Sequence, residues 1–401
     1  MAGTFPTLKS GNTVFYPLQD TQSFSTTVTK FLDDSEQRWR ARPMLRRFNL
    51  QCVDINAYDS ALILNFFRSQ FGRFDPTWTL TIGANTYSNL AFNTDSFKIT
   101  ENKTNRHALS FQVVQVISDN PTIPTLNPYF PQINPNGVMT TLPYTSSFDY
   151  RSTMEDSDYT GRRFAWKWRS VMLGSYNLNL QALTAAELLV VQNFFYSAEG
   201  RKGEFTFLDP GGNLVNYSDL FSNASWTRTS ITAGGNVTDP YGGNLAMSMS
   251  SSASNGLLYT TVLPSGNASG FVLCASVWAR ATGAGQTLSI GFVDSGFSVL
   301  ANQIWTLPQN KWVRISCPIT LATNSYIRIL LGGFATWGSG QTIQLFGAQC
   351  VPLPGPGARL LTPGADGLRP YCRFDSDELA INFEDFGKTS TNLSIVEYTH
   401  A

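Results

Sequence analysis

The chain has 401 residues, of which 14% are charged, and its 28 basic side chains cancel its 28 acidic ones. That length exceeds one ordinary core and implies two or three domains. A cancelled charge with no basic run excludes electrostatic capture of nucleic acid or of an anionic membrane as the organising function.

Glycine and aromatic side chains are plentiful, as in β-rich proteins with short strands and many turns. The opening "MAGTFPTLKSGN" has no charged stretch leading into an apolar one, and no long apolar run follows, so a soluble chain without a Sec-type signal is expected, with no membrane insertion. Cys52, Cys274, Cys317, Cys350 and Cys372 form no C-x-x-C pair and are expected as buried free thiols. With only His107 and His400 beside them, no metal or other cofactor is expected.

In chain order, "FLDDSEQR" (Phe31 to Arg38) reads as an acidic turn, and the run through Phe48-Asn49-Leu50 as an alternating strand. Asn56-Ala-Tyr-Asp59 reads as a helix cap, and the helix it opens ends in "NFFRSQFGR" at Arg73, with glycine as the stop. "TWTLTI" (Thr77 to Ile82), "FNTDSFKI" (Phe92 to Ile99) and "ALSFQVVQV" are further predicted strands.

The same order then recurs at an offset of 128: Tyr176-Asn177-Leu178 answers Phe48-Asn49-Leu50, and "NFFYSAEGR" ends at Arg201 as "NFFRSQFGR" ends at Arg73. "TMEDSDYT" (Thr153 to Thr160) echoes the acidic turn, Thr184-Ala-Ala-Glu187 is a capping box, and "EFTFLDP" (Glu204 to Pro210) follows the helix. An internal repeat of this kind sets the architecture. Phe66 and Phe194 are expected to anchor the helices on their sheets.

The second copy breaks off there. Its remaining strands come far downstream, as "FDSDELAI" (Phe374 to Ile381) and "NLSIVEY" (Asn392 to Tyr398). Between them lie six alternating runs separated by Gly, Ser, Asn and Pro, which predict an antiparallel sandwich of jelly-roll type inserted at a hairpin tip, where chain ends lie close together. The expected division is 1–125 for a first β domain, 126–145 for a linker, 146–218 with 369–401 for a split second domain, and 219–368 for the insert.

Phe31, Asp33, Gln37 and Arg38 resemble the F-x-D-G-x-x-Q-R stretch of the minor tail-tip (distal tail) proteins of long-tailed, siphovirus-like bacteriophages, with Asp34 where that motif has glycine. The strand, glycine-ended helix and aromatic strand that follow are similar to the same family, over about 250 residues in two copies. The resemblance implies two tandem tail-tube-like β-sandwich or split-barrel domains, each with one flanking helix. It implies a virion structural protein of the tail tip, assembled in the host cytoplasm, whose ring of three or six chains joins the tail tube to the hub proteins and the tape measure protein. The insert is similar to carbohydrate-binding jelly rolls carried by phage tail proteins, which implies contact with a host-surface polysaccharide.

Trp305, Trp337 and Tyr326, with Gln303, Asn310 and Asn324, are the candidate glycan-binding residues, because aromatic faces stack on sugar rings while amides bond hydroxyls. Trp226, Trp278 and Trp312 fall in strand-like runs and are expected in the core. Arg38, Trp39, Arg73 and Arg201 are the candidate ring or tube interface. The adjacent carboxylates Asp33-Asp34 and Glu155-Asp156 recur with the repeat and read as solvated turns, and no nucleophile, metal or nucleotide motif is present, so no catalytic residues are expected. The alternative reading is a lectin or glycan-active enzyme on a duplicated β scaffold. The insert's four acids, Asp219, Asp239, Asp294 and Asp366, argue against a carboxylate-rich cleft.

Overall fold

The fold comes from a computed structural model that describes residues 3–8, 18–30, 36–70, 78–82, 85–103, 106–115, 129–133, 144–149, 152–156, 163–167, 173–264, 268–322, 326–334, 336–357, 367–385 and 388–398. The protein is mainly β with antiparallel sheets, and the described residues include two α-helices. It divides into two compact units, one of Met1–Leu126, Thr141–Glu204 and Arg373–Ala401, the other of Asn127–Thr140 and Phe205–Cys372.

The first copy consists of β1 (Leu18–Lys30), β2 (Glu36–Asn56), α1 (Ala57–Ser69), β3 (Trp78–Ile82), β4 (Asn85–Phe92), β5 (Ile99–Lys103) and β6 (Arg106–Gln115). β2 runs between β1 and β6, while β6 also pairs with β4 and β5. The second copy begins with β7 (Tyr144–Asp149), β8 (Ser152–Asp156), β9 (Arg163–Lys167), β10 (Leu173–Leu183), α2 (Ala185–Ser197) and β11 (Phe205–Leu208).

Ten strands of the insert follow: β12 (Thr227–Thr229), β13 (Ile231–Val237), β14 (Ala246–Ser251), β15 (Leu257–Leu263), β16 (Val272–Ala281), β17 (Thr287–Val293), β18 (Val299–Thr306), β19 (Val313–Thr320), β20 (Ile327–Gly332) and β21 (Thr342–Val351). The second copy resumes with β22 (Leu368–Phe374), β23 (Glu378–Asp385) and β24 (Lys388–Glu397).

The two copies correspond most closely around their helices. Their helices are each 13 residues long and lie 128 apart, from Ala57 to Ala185 and from Ser69 to Ser197. Asn56 caps α1 by accepting from the Asp59 N–H at 2.7 Å, and Thr184 caps α2 in a capping box with Glu187. Two residues before each cap the backbone turns left-handed, at Asp54 (φ 60°) and Ala182 (φ 54°). The ladders are bulged at the same place, between Cys52 and Ile55 and between Leu180 and Leu183. Such a bulge bends the strand and turns the chain into the helix. Phe48 and Tyr176, Leu50 and Leu178, Ile63 and Val191, and Phe67 and Phe195 are buried pairwise.

The split strands correspond at a second offset, 282. Leu50 pairs with Phe111 and Leu178 with Leu393; Ile99 pairs with Leu109 and Ile381 with Thr391. Trp78 opposite Leu90 is answered by Phe205 opposite Cys372. In the first copy this ladder closes at Ile82 and Asn85, two residues apart from a hairpin; in the second it closes at Leu208 and Leu368, with the insert between them.

The insert is a sandwich of two five-stranded sheets, in the orders β12-β15-β20-β17-β18 and β13-β14-β21-β16-β19. Leu273, Val277, Ile290, Ile329 and Leu345 belong to its buried core. The compact unit is larger than the span 219–368 expected for it. Residues expected in the linker belong here: the Phe130 N–H donates to the Thr206 carbonyl at 2.9 Å, its ring lies 5.9 Å from Phe205 and 5.9 Å from Phe207, and Gln132 exchanges two hydrogen bonds with Val272. An aromatic pair and a bonded amide give this stretch the packing that a solvated linker lacks.

All five cysteines are buried and free. Burial pushes the Cys52 thiol up to about 12 and those of Cys274 and Cys317 up to about 11.

One element has no counterpart in the second copy. Asp20, 1% exposed, accepts two hydrogen bonds from Arg46 Nε at 3.0 Å and another from its Nη2. The guanidinium also lies 4.4 Å from the Tyr87 ring centre. Burial pushes the Asp20 carboxyl up, and Arg46 offsets this by charge and hydrogen bonding. The corresponding positions, by ladder, are Ser146 and Gly174. Replacing Asp20 by Ala leaves a buried guanidinium without its carboxylate, and a loss of about 3–5 kcal/mol is expected in urea unfolding. The double substitution of Asp20 and Arg46 by apolar residues should lose less than Asp20→Ala alone.

Candidate functional site

The first and second copies meet along one ladder inside the larger unit. Leu18 to Ser23 of β1 pair antiparallel with Phe383 to Glu378 of β23. At its end Asp377 accepts hydrogen bonds from the Thr26 N–H at 2.7 Å, the Thr26 hydroxyl at 2.7 Å and the Arg201 N–H at 2.9 Å. Gly200 is required there twice over. Its backbone is left-handed (φ 64°), and a Cβ would stand 2.7 Å from the Asp377 carboxylate. The end of α2 is held from the first copy's side as well: Arg38 donates to the Arg201 carbonyl at 2.8 Å, Arg40 pairs with Glu199 at 3.1 Å, and Phe24 packs 5.8 Å from Phe195.

Three of the four candidate interface residues can thus be placed. Arg38 and Arg201 come together, through the Arg201 backbone, at the join between copies of one chain. Trp39 is 43% exposed on β2, on the strand face opposite to these contacts. Arg73 lies outside the described residues, as do Asp33 and Asp34 of the acidic turn. Asp377 is not among the candidate residues; its one sequence signal is the aspartate shared by "FNTDSFKI" and "FDSDELAI".

In the insert, the candidate glycan-binding residues do not form one site. Trp337 is fully buried in the sandwich core and cannot face a ligand, although the turn residues beside it in the sequence suggest an exposed position; its backbone is left-handed (φ 54°). Trp305 is partly buried on β18 and packs against that core, while Gln303 on the same strand is exposed. Asn310 is exposed in a turn whose N–H donates to the Ala281 carbonyl. The Tyr326 hydroxyl accepts from Thr261 at 2.9 Å, and the Arg328 guanidinium lies 5.0 Å from the Tyr326 ring centre. Asn324 lies outside the described residues.

A more coherent surface lies on the outer face of the sheet containing β16. Leu273, Ala275, Val277 and Ala279 of β16 point into the core, which sends Trp278 and Arg280 to the other side. Trp278 stands opposite Arg314 and Phe346, and Arg280 opposite Gln344. The Arg280 guanidinium lies 4.8 Å from the Trp312 ring centre and donates to Gln344 at 2.5 Å, while Arg314 donates to Ser276 at 3.0 Å and to Gln349. Burial, the largest cause, lowers Arg314. Tyr241, 61% exposed, adds an edge contact to Trp278 at 6.1 Å from a loop that Asp239 ties by accepting the Tyr241 and Gly243 N–H groups. Trp226 is in the core as expected, but Trp278 and Trp312 are only partly buried, because the strands here are apolar on one face and aromatic-cationic on the other. Rings, guanidinium groups and amides in one row can stack on and hydrogen-bond to a polyhydroxylated ligand.

No protein-family model matches the chain, and no curated protein matches its sequence. Solved structures resemble parts of it. The enzymatically active domain of bacteriophage CBA120 tailspike protein 4 is similar over 36% of this chain and 22% of that one, at 18% identity and a TM-score of 0.27. The CBM22-1 xylan-binding domain of Paenibacillus barcinonensis Xyn10C is similar over 37% of this chain and 99% of that domain, at 14% identity and a TM-score of 0.27. TmCBM61, solved with β-1,4-galactotriose, is similar over 35% of this chain and 98% of that one, at 14% identity and a TM-score of 0.26. These are partial likenesses of fold.

Replacing Asp377 by Ala removes the acceptor for three donors at once. A loss of about 2–3 kcal/mol is expected in chemical unfolding, whereas Asp375→Ala, an exposed neighbour, should change stability little.

Proposed function

We propose that this chain is a structural protein of a bacteriophage tail tip, a distal tail protein whose paired copies form a wide segment of a ring. The observation that carries this reading is the joining of two copies of one strand-helix-strand unit, edge to edge, by a continuous antiparallel ladder. A head-to-tail arrangement of this kind generates a ring where its rotation closes. Such a ring would bind the tail tube protein on one face and hub, tip or tape measure proteins on the other, in the virion, with assembly and display rather than catalysis as its mechanism.

The native mass of the purified full chain, with negative-stain class averages of the same sample, tests this. Closed rings of three or six chains are expected. A chain that stays monomeric at high concentration, with and without added tube protein, would overturn the reading.

A second role belongs to the insert, and it is favoured by the row Trp278, Arg280, Trp312 and Arg314. We assign host-surface glycan contact to this face rather than to Trp305 and Trp337. Glycan-array binding by the full chain should fall by about tenfold or more in Trp312→Ala, as for a central aromatic contact, and stay unchanged in Gln303→Ala.

A further inference from the structure

The correspondence between copies extends to their edges. β7 is the counterpart of the first half of β1: Thr145 and Ser146 face Asn177 and Tyr176 as Gln19 and Asp20 face Asn49 and Phe48. β5 is the counterpart of β23. β1 and β23 pair with each other, whereas β7 pairs only with β10 and β5 only with β6 among the described residues. One chain therefore carries the two halves of the β1–β23 ladder a second time, each paired along one side among the described residues.

The β5 half is also incomplete in a telling way. Glu378, Leu379 and Ala380 are strand solely through β1, since β23 meets β24 from Ile381 onward. Their counterparts Ser96, Phe97 and Lys98 have no such neighbour among the described residues and are not strand, so β5 is 5 residues long where β23 is 8. Asp95, the counterpart of Asp377, is exposed beside them.

From this we infer that β7 of one chain adds to β5 of a second copy of the chain, in the register of the β1–β23 ladder. Transferred residue by residue, that register sets Thr145 against Thr100, Ser146 against Ile99, Ser147 against Lys98 and Phe148 against Phe97. Thr145, Ser146, Ser147 and Phe148 are all exposed, Phe148 at 40%. A strand paired along one side is a template for another strand along its second side, and the polar side chains of Thr145, Ser146 and Ser147 suit an edge that is filled on assembly. Because the same contact is made within and between chains, each chain supplies two equivalent links. The inference rests on the ring reading above and adds the strands and the register.

Disulfide trapping tests it on the full chain. Directly opposite residues place their Cβ atoms about 4.5–5.5 Å apart and diagonal ones about 7–8 Å, while a disulfide needs about 3.5–4.5 Å. The Ser147→Cys, Lys98→Cys double variant should, on mild oxidation, lose its monomer band to a ladder of linked chains in denaturing gels. The Ser147→Cys, Thr100→Cys variant, slipped by two residues, should keep it, as should each single variant. The five natural cysteines are buried, and circular dichroism verifies folding of each variant. If rings form but the two double variants link alike, or neither links, the strand pairing is overturned while the ring reading stands. If no variant and no wild-type sample forms an oligomer, both fall.

Discussion

The larger unit depends on one ladder, in which the start of the first copy and the end of the second lie side by side. Six residues of β1 and six of β23 form it. Without it β1 would have a neighbour on one side only, Glu378 to Ala380 would have no strand partner, and Asp377 would lose the Thr26 donors. The contacts around it are of different kinds: aromatic packing at Phe24, an ion pair at Arg40 and Glu199, and a carboxylate bound to backbone N–H groups. They converge on the end of α2, where two successive left-handed residues, Glu199 and Gly200, bring the chain close to Asp377. Backbone geometry and the join between copies are therefore one feature.

Repetition made much of this unit legible in the sequence. Helix caps at Asn56 and Thr184, the apolar positions behind them and the match between Phe92–Ile99 and Phe374–Ile381 each depend on local residue type and correspond in the structure, except that Asn93 to Lys98, predicted as strand, is not strand, whereas Glu378 to Ala380 is. The left-handed turns at Asp54 and Ala182 were not legible, because neither residue type signals positive φ strongly and the bulge arises from pairing with a distant strand. In the insert, period-2 alternation located strands but not which face meets the core. Trp337 and Trp278 were misplaced for that reason: a tryptophan next to glycines can turn inward, and one within an apolar run can turn outward. The packing of Phe130 was hidden because its partners, Phe205 and Phe207, lie far along the chain.

The two compact units also differ in how they use polar groups. The sandwich buries Asn213, whose side chain bonds the backbone at Ala348, Val215 and Cys350, so that a buried amide closes gaps between strands. The duplicated unit carries a buried ion pair, Asp20 with Arg46, in its first copy. Two copies with the same ladders can thus carry different interiors.

The ladder between β1 and β23 joins residues as much as 365 apart, at Leu18 and Phe383. A ribosome delivers β1 long before β23, with the whole sandwich made in between. For that interval the nascent chain holds an unfilled strand edge, and two growing chains on one messenger would each offer it to the other. The inserted sandwich, whose own strands all lie between β11 and β22, can fold during the wait. Its placement therefore lengthens the period in which the first copy must remain unpaired, and makes the order of synthesis part of how this protein reaches its correct partner.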